Sequence, residues 1–429
     1  MAGEAAAETR SRPGFHGWRL VASTTSLQFL FSVLMTQSFG AYVAVLRDSE
    51  GWSKTALSGV AAMQQVEGAL LGPLQGWVID RFGPRGMVTA GVVLFGVGLM
   101  LLGSTQSLAG FYAVYILIAL GMSLAGYFSL SITLINWFHR YRSRALSILV
   151  LGTAAAGFAA PGIAWSLQVY GWRHTALVSG LVALLVGLPL ARTLHRRPED
   201  LGQHVDGIAP LPRAQESQPT VATAQASPSR DASIGEALRT PAFWLLGLGH
   251  GSALFVVSAF QVHAITHVKE GLGYSLAQAA LLLSVQTLAY TVGVLLSGVV
   301  GDRWDKRRIS AFCLLLHALG LLLLAYASTW ETVLAAGLAH GFAWGFRGPL
   351  MQAIRADYFG RESIGKILGA SMLLVLIGQV GGPIVAGVLA DATGNYRLGF
   401  TILATLAGLG SVFFLMLPKP PAKEVAAAK

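Results

Sequence analysis

Charge is what this sequence has least of. Only 12% of its 429 residues are Asp, Glu, Lys or Arg, about half of the ~25% that coats an ordinary soluble domain. A water-facing globular enzyme is excluded on that ground. Cysteine is nearly absent as well: Cys313 stands alone in an apolar run, so no intrachain disulfide forms and the redox compartment is left unmarked. His250, His263 and His267 share one apolar run without a thiolate or carboxylate set to complete a zinc site. There is no nucleophile motif and no phosphate-binding glycine loop, so neither an enzyme nor a metal or cofactor is expected. The polar start runs into a long apolar segment without the short apolar core and cleavage site of a secretory signal, and the first span is read as retained.

What is abundant is apolar length. Hydrophobic residues make up 54% of the chain, the mean hydropathy is +0.60, and the 51 glycines lie inside apolar runs, as they do in membrane helices. A spanning helix needs about 20 apolar residues. Twelve such runs are expected, at 18–46, 55–79, 87–105, 109–136, 144–169, 173–194, 241–268, 276–300, 309–328, 332–358, 364–390 and 397–417. The fold class is therefore all-α membrane, with a tail at 1–17, a first six-helix half at 18–194, a second at 241–417 and a tail at 418–429. Residues 195–240, rich in Pro, Ala, Gln and Ser, form the linker and bury too little apolar surface to fold alone. Within it, Ser233 and Glu236 have capping-box spacing and predict a short helix.

The net charge of +10 points to topology rather than to nucleic acid. With both termini inside, Arg47, Lys54, Arg173, Lys269 and Arg397 fall outside, Arg347 falls within a span, and every other Lys and Arg lies on the inner side. The positive-inside rule then places both termini in the cytoplasm of a multi-pass cell-membrane protein surrounded by lipid.

The halves repeat at an offset of about 222 residues. Gly76, Asp80, Arg81 and Arg85 recur as Gly298, Asp302, Arg303 and Arg307. Phe138 matches Phe359, and Pro161 matches Pro383. Two parallel repeats joined by a linker suit a carrier with a central site. On these residues the chain resembles the major facilitator superfamily, over nearly its whole length. The resemblance implies two pseudo-symmetric six-helix bundles, and a loop carboxylate that caps a neighbouring helix, pairs with basic residues and stabilises closure. Asp80, Arg81, Arg85, Asp302 and Arg303 are the gating candidates. Tyr127 followed by Trp137-Phe138, then Arg140, Arg142 and Arg144-Ala145, together with the runs Arg197 to Gly202 and Glu236 to Trp244, is similar to the monocarboxylate transporter and oxalate/formate antiporter branch. Where animal members have a lysine in the first span this chain has Gln37. Where they have an Asp/Arg pair in the eighth it has Tyr290 and Val294.

Ionisable residues inside a span cost at least about 2.5 kcal/mol on insertion scales and become functional candidates. Arg347 lies near the middle of the tenth span on a face with His340, Trp344 and Met351. Its planar fork fits a carboxylate. Glu67, the one acid well inside a span, is either a proton carrier or the partner of Arg347. His250 and His340 are further proton candidates, whereas His317, on a span peripheral in the family, is the weakest. Gln37, Gln286, Tyr290, Trp344 and Tyr127 are candidates to orient a small polar substrate. The expected function is a secondary carrier, functional as a monomer, that moves a small monocarboxylate or related organic anion with a proton by alternating access. The alternative is a proton-coupled exporter of drugs or other amphipathic solutes.

Overall fold

The computed structural model describes residues 14–52, 54–208 and 231–420. Their regular structure is helical throughout: α1 (Gly17–Phe31), α2 (Phe39–Glu50), α3 (Lys54–Phe82), α4 (Pro84–Leu102), α5 (Leu108–Ala125), α6 (Tyr127–Trp137), α7 (Arg142–Val169), α8 (Gly171–Arg192), α9 (Ile234–Leu238), α10 (Pro241–Thr266), α11 (Leu276–Val300), α12 (Lys306–Ala325), α13 (Trp330–Phe359), α14 (Ile364–Thr393) and α15 (Arg397–Leu415). Nine stretches among the described residues are long and apolar enough to cross a membrane. Three other long helical stretches accompany them, α1 with α2, α3 and α13. This is an all-α, multi-span membrane fold.

Local chemistry sets the helix starts. The Ser107, Thr240, Ser275 and Thr329 side chains each accept a backbone N–H of the following first turn, satisfying donors that a helix start leaves free. Pro84 and Pro241 occupy first positions, where a missing N–H costs nothing. The capping box at Ser233 and Glu236 is present and opens the short α9.

Packing reproduces the repeat. In the first half α1 packs on α7, α3 on α5, and α4 on α5 and α8. In the second half α10 packs on α14, α11 on α13, and α12 on α13 and α15. Across the halves, α3 meets α14 and α7 meets α11.

Two of the expected spans are interrupted. The first passes through a π-helical turn, Ser32–Thr36, before α2 resumes. The fourth breaks at Gly126, whose φ of −83° and ψ of −164° leave the helix, so Tyr127 becomes the first residue of α6. Nothing in the apolar run marks either break. Helices interrupted at membrane depth are tolerated where they are buried in protein or line a cavity. The ends of the expected linker are ordered: residues 195–208 and 231–240 lie on the helices, while 209–230 fall outside the described residues.

Candidate functional site

Both interruptions open onto one cavity of about 390 Å³, lined by Gln28, Ser32, Glu67, Ser123, Tyr127 and Gln379 among others. The polar groups come from α1, α3, α5, α6 and α14, so the cavity lies between the halves. Gln28 Nε2 donates to Thr153 Oγ1 at 2.9 Å and to Ser32 Oγ at 3.3 Å. Gln37 Nε2 donates to the Thr153 carbonyl at 3.3 Å, outside the lining. Both Glu67 carboxylate oxygens are buried, with the Ser123 hydroxyl as their hydrogen-bonding neighbour. The neighbouring Ser123 hydroxyl accepts from Gln75 Nε2 at 2.5 Å. Among the described residues no Arg or Lys lines the cavity.

The cations lie in the second half. Arg347 is 1% exposed, and its Nε and Nη1 have no hydrogen-bond partner. It faces the inside of that half, within electrostatic reach of Cys313, His250, His317 and His340, and does not line the cavity. Arg355, two turns further along α13, is also buried, at 3% exposure. It donates to Ser371 Oγ at 3.0 Å and to the Met351 carbonyl at 2.8 Å, and its Nη2 lies 3.2 Å from His250 Nδ1. Neither arginine forms an ion pair among the described residues. Tyr127 has Tyr290 and Arg355 as its electrostatic neighbours rather than Arg347. The Trp344 ring turns to Tyr290, 5.0 Å between centroids. Gln286 is buried, with Oε1 unpartnered.

Away from the cavity, the end of the bundle that carries the described termini is closed. Asp80, just beyond the expected second span, accepts N–H bonds from Gly365 (3.1 Å) and Lys366 (3.0 Å) in the first turn of α14. Asp302 accepts from Ser143 (2.7 Å) and Arg144 (3.2 Å) in the first turn of α7. Neither helix has a side-chain cap of its own, so each is capped from the opposite half, where a carboxylate is favoured by the helix dipole. Gly365 makes this possible: a Cβ there would lie 2.6 Å from Asp80 Oδ1 and from the Gly76 carbonyl. Burial pushes the Asp80 carboxyl up to about 6, against the N–H bonds and the charges of Lys366 and Arg196.

Between the two caps, Asp357 takes Arg142 Nη1 at 2.9 Å from the first half and Lys306 Nζ at 2.8 Å from the second, all three side chains under a tenth exposed. Arg361 adds Glu199 at 2.6 Å and the Asn136 carbonyl at 3.0 Å. Asp206, with a positive φ of 60°, accepts from the His139, Arg140 and Tyr141 N–H groups. Asp231 accepts from Arg361 N–H at 2.8 Å.

A Major Facilitator Superfamily profile matches residues 22–265 and 246–429. The chain belongs to that superfamily. Membership makes it a transporter rather than an enzyme. Its relatives include monocarboxylate transporter 13 of Bos taurus, 27% identical over 415 residues, 94% of this chain and 90% of that protein. The cis,cis-muconate transport protein of Acinetobacter baylyi is 22% identical over 426 residues, 95% of this chain and 94% of that one. Among solved structures, the human organic anion transporter MFSD10 superposes with a TM-score of 0.68 at 18% identity, covering 94% of this chain and all of its own. FucP in its outward conformation gives 0.69 at 15% identity, covering 92% and 97%.

Within this superfamily chain, the aspartates rather than the arginines of the repeated motif bridge the halves. Arg81, Arg85 and Arg303 are exposed and form no ion pair among the described residues. Arg81 lies over the Trp77 and Phe82 rings at 5.8 and 5.7 Å. The basic partners at Asp80 are Arg196, which donates to its backbone carbonyl, and Lys366. Arg355 and Asp357 are the residues that sequence reasoning missed, and His317, ranked weakest there, lies against His340. Arg355 and Asp357 lie at the C-terminal end of the tenth run, where a charge reads as a loop residue. The Phe138/Phe359 match nevertheless brings Asp357 to the same end as Arg142. Among the described residues no three His, Cys, Asp or Glu side chains cluster as metal ligands.

Proposed function

We propose that the chain is a secondary carrier of a small organic anion, most simply a monocarboxylate, linked to proton movement by alternating access. In this reading all twelve helical stretches cross the membrane as two six-helix bundles, with the closed, basic end on the cytoplasmic side. One observation carries the proposal: α13 holds two buried guanidinium groups without a counter-ion, and one of them has unused donors. A buried cation left unpaired is costly, and an unused Arg fork suits a carboxylate. Arg347 supplies those donors, while Arg355 and Tyr127 draw the anion from the cavity wall. Gln37, Gln286, Tyr290 and Trp344 shape the approach. The similarity to carriers named for monocarboxylates, for muconate and for organic anions supports the same class.

Glu67 gives the reason for a proton. An anion in a cavity walled by an ionised carboxylate is repelled, and at low dielectric the repulsion amounts to several kcal/mol. Protonating Glu67 removes it, so anion and proton travel together. The same residue favours a second reading: a cavity with an acid and no cation would also accept an amphipathic cation, as an exporter requires.

A panel of carboxylates and organic cations in proteoliposomes with an imposed pH gradient separates the two. Acceleration of proton movement by carboxylates alone is expected. Acceleration by cations alone would overturn the anion reading.

A further inference from the structure

His317 of α12 and His340 of α13 are both 0% exposed, with their Nδ1 atoms 3.2 Å apart. Two imidazole nitrogens at that separation share one proton: one ring donates its Nδ1–H to the lone pair of the other. The outer nitrogens are then fixed as one N–H and one lone pair, and neither Nε2 has a hydrogen-bond partner. The neutral pair thus contains a buried proton acceptor with nothing to accept. Its rings are held in place. His340 stacks on Phe260 of α10, with centroids 4.2 Å and planes 3° apart, and is tilted against His317 at 4.7 Å.

The surroundings set a positive charge beside that acceptor. Arg347 lies within electrostatic reach of both rings and of Cys313 on α12. His250 on α10 feels Arg347 and Arg355. Of the other helices packed here, α11 contributes only Tyr290 as a titratable group and α15 carries no charge beyond Arg397 at its start. The pair therefore faces positive charge and no carboxylate, and a second cation beside Arg347 is opposed at low dielectric.

We propose that the His317–His340 pair is a proton-binding site, separate from Glu67, that fills when an anion neutralises Arg347. This rests on Arg347 as the anion site. The incoming proton goes to the free Nε2 lone pair, the bridging Nδ1–H stays, and the pair gains one positive charge. An anion and a proton enter together, so the buried net charge is the same loaded as empty. By linkage each raises the affinity of the other by the same factor. Anion occupancy and proton occupancy then become one event in the half that holds the arginine.

The test removes the positive charge without any substrate. Histidine-selective NMR titrations follow the pair in the wild type and in Arg347→Gln, with Arg347→Met as the alternative should the Gln protein not fold. A rise in the pair's titration midpoint by about one pH unit or more, tenfold in proton affinity, is expected. An unchanged midpoint overturns the proposal. Calorimetry with sodium L-lactate in two buffers of different ionisation enthalpy then counts protons taken up per lactate bound. His340→Gln and His317→Gln are expected to lower that count by about one, whereas Glu67→Gln leaves the pair's share in place. Equal uptake by wild type and histidine variants also overturns it. Lactate that fails to bind the wild type counts against the anion reading of Arg347, and the titration of the charge-removed protein still decides the pair.

Discussion

The two halves repeat in packing and differ in charge. Midway along α3 in the first half lies a carboxylate, Glu67, on the wall of a cavity that no Arg or Lys lines among the described residues. Inside the second lie two arginines that form no ion pair among the described residues, with the histidines 250, 317 and 340. At the closed end the halves are alike again: each lends an aspartate to cap a helix of the other. The helix caps kept the symmetry of the repeat, and the interior lost it. An interior with acid in one half and guanidinium groups in the other offers a proton and an anion separate places, which two identical halves do not.

The largest effect is expected from removing the base. Arg347→Ala should lower kcat/KM for anion uptake by about 100-fold, since truncating one partner of a buried charge contact costs 2 kcal/mol or more. Arg347→Lys should recover little, because a lysine has no planar fork. Proteoliposome uptake measures both, and near-normal uptake by the Ala variant would remove Arg347 from the site.

Next comes the shared gate. Asp357→Asn leaves Arg142 and Lys306 buried without their carboxylate, which should cost the closed state about 3 kcal/mol. Maleimide labelling of a cysteine placed at Ser363 should then accelerate strongly, and unchanged labelling would show that the caps alone keep the end shut.

A smaller, pH-dependent effect belongs to Asp80. Burial in the closed state pushes its carboxyl up to about 6, whereas an open end returns it toward the ordinary carboxylate range. The closed state then binds the proton more tightly. Its share should rise as pH falls through about 6 and fall as pH rises through the same window. The same labelling assay should show this in the wild type and a flat profile in Asp80→Asn. Smallest of all, Arg81→Ala should shift labelling by no more than about 0.5 kcal/mol, as for an exposed side chain whose ring contacts lie within its own helix.

Much of this was legible before any coordinates. Runs of apolar residues bounded by charge located the long helices, because a lipid environment permits few other patterns. The Asp80 and Asp302 repeat located the two aspartates that cap a helix of the opposite half. The interruptions at Ser32–Thr36 and Gly126 were not legible, since a backbone that leaves the helix toward a cavity needs no change in apolar composition. Arg355 and Asp357 were hidden by position: near the end of a run, burial and exposure look the same in sequence. The His317–His340 contact depends on two helices facing each other at one depth, which spacing within either helix cannot report. The alignment of Arg347 with His340 on one face was readable. That this face turns into its own half and away from the cavity was not.

The caps that Asp80 and Asp302 provide have a consequence for ionic strength. A gate built from solvent-exposed Lys and Asp pairs weakens as salt screens it. Here the donors are main-chain N–H groups at two helix starts, so no mobile counter-ion competes for them in the way chloride competes for a lysine. The two caps are therefore expected to hold across wide changes in salt, while the part-exposed Arg361–Glu199 ion pair at the same end weakens.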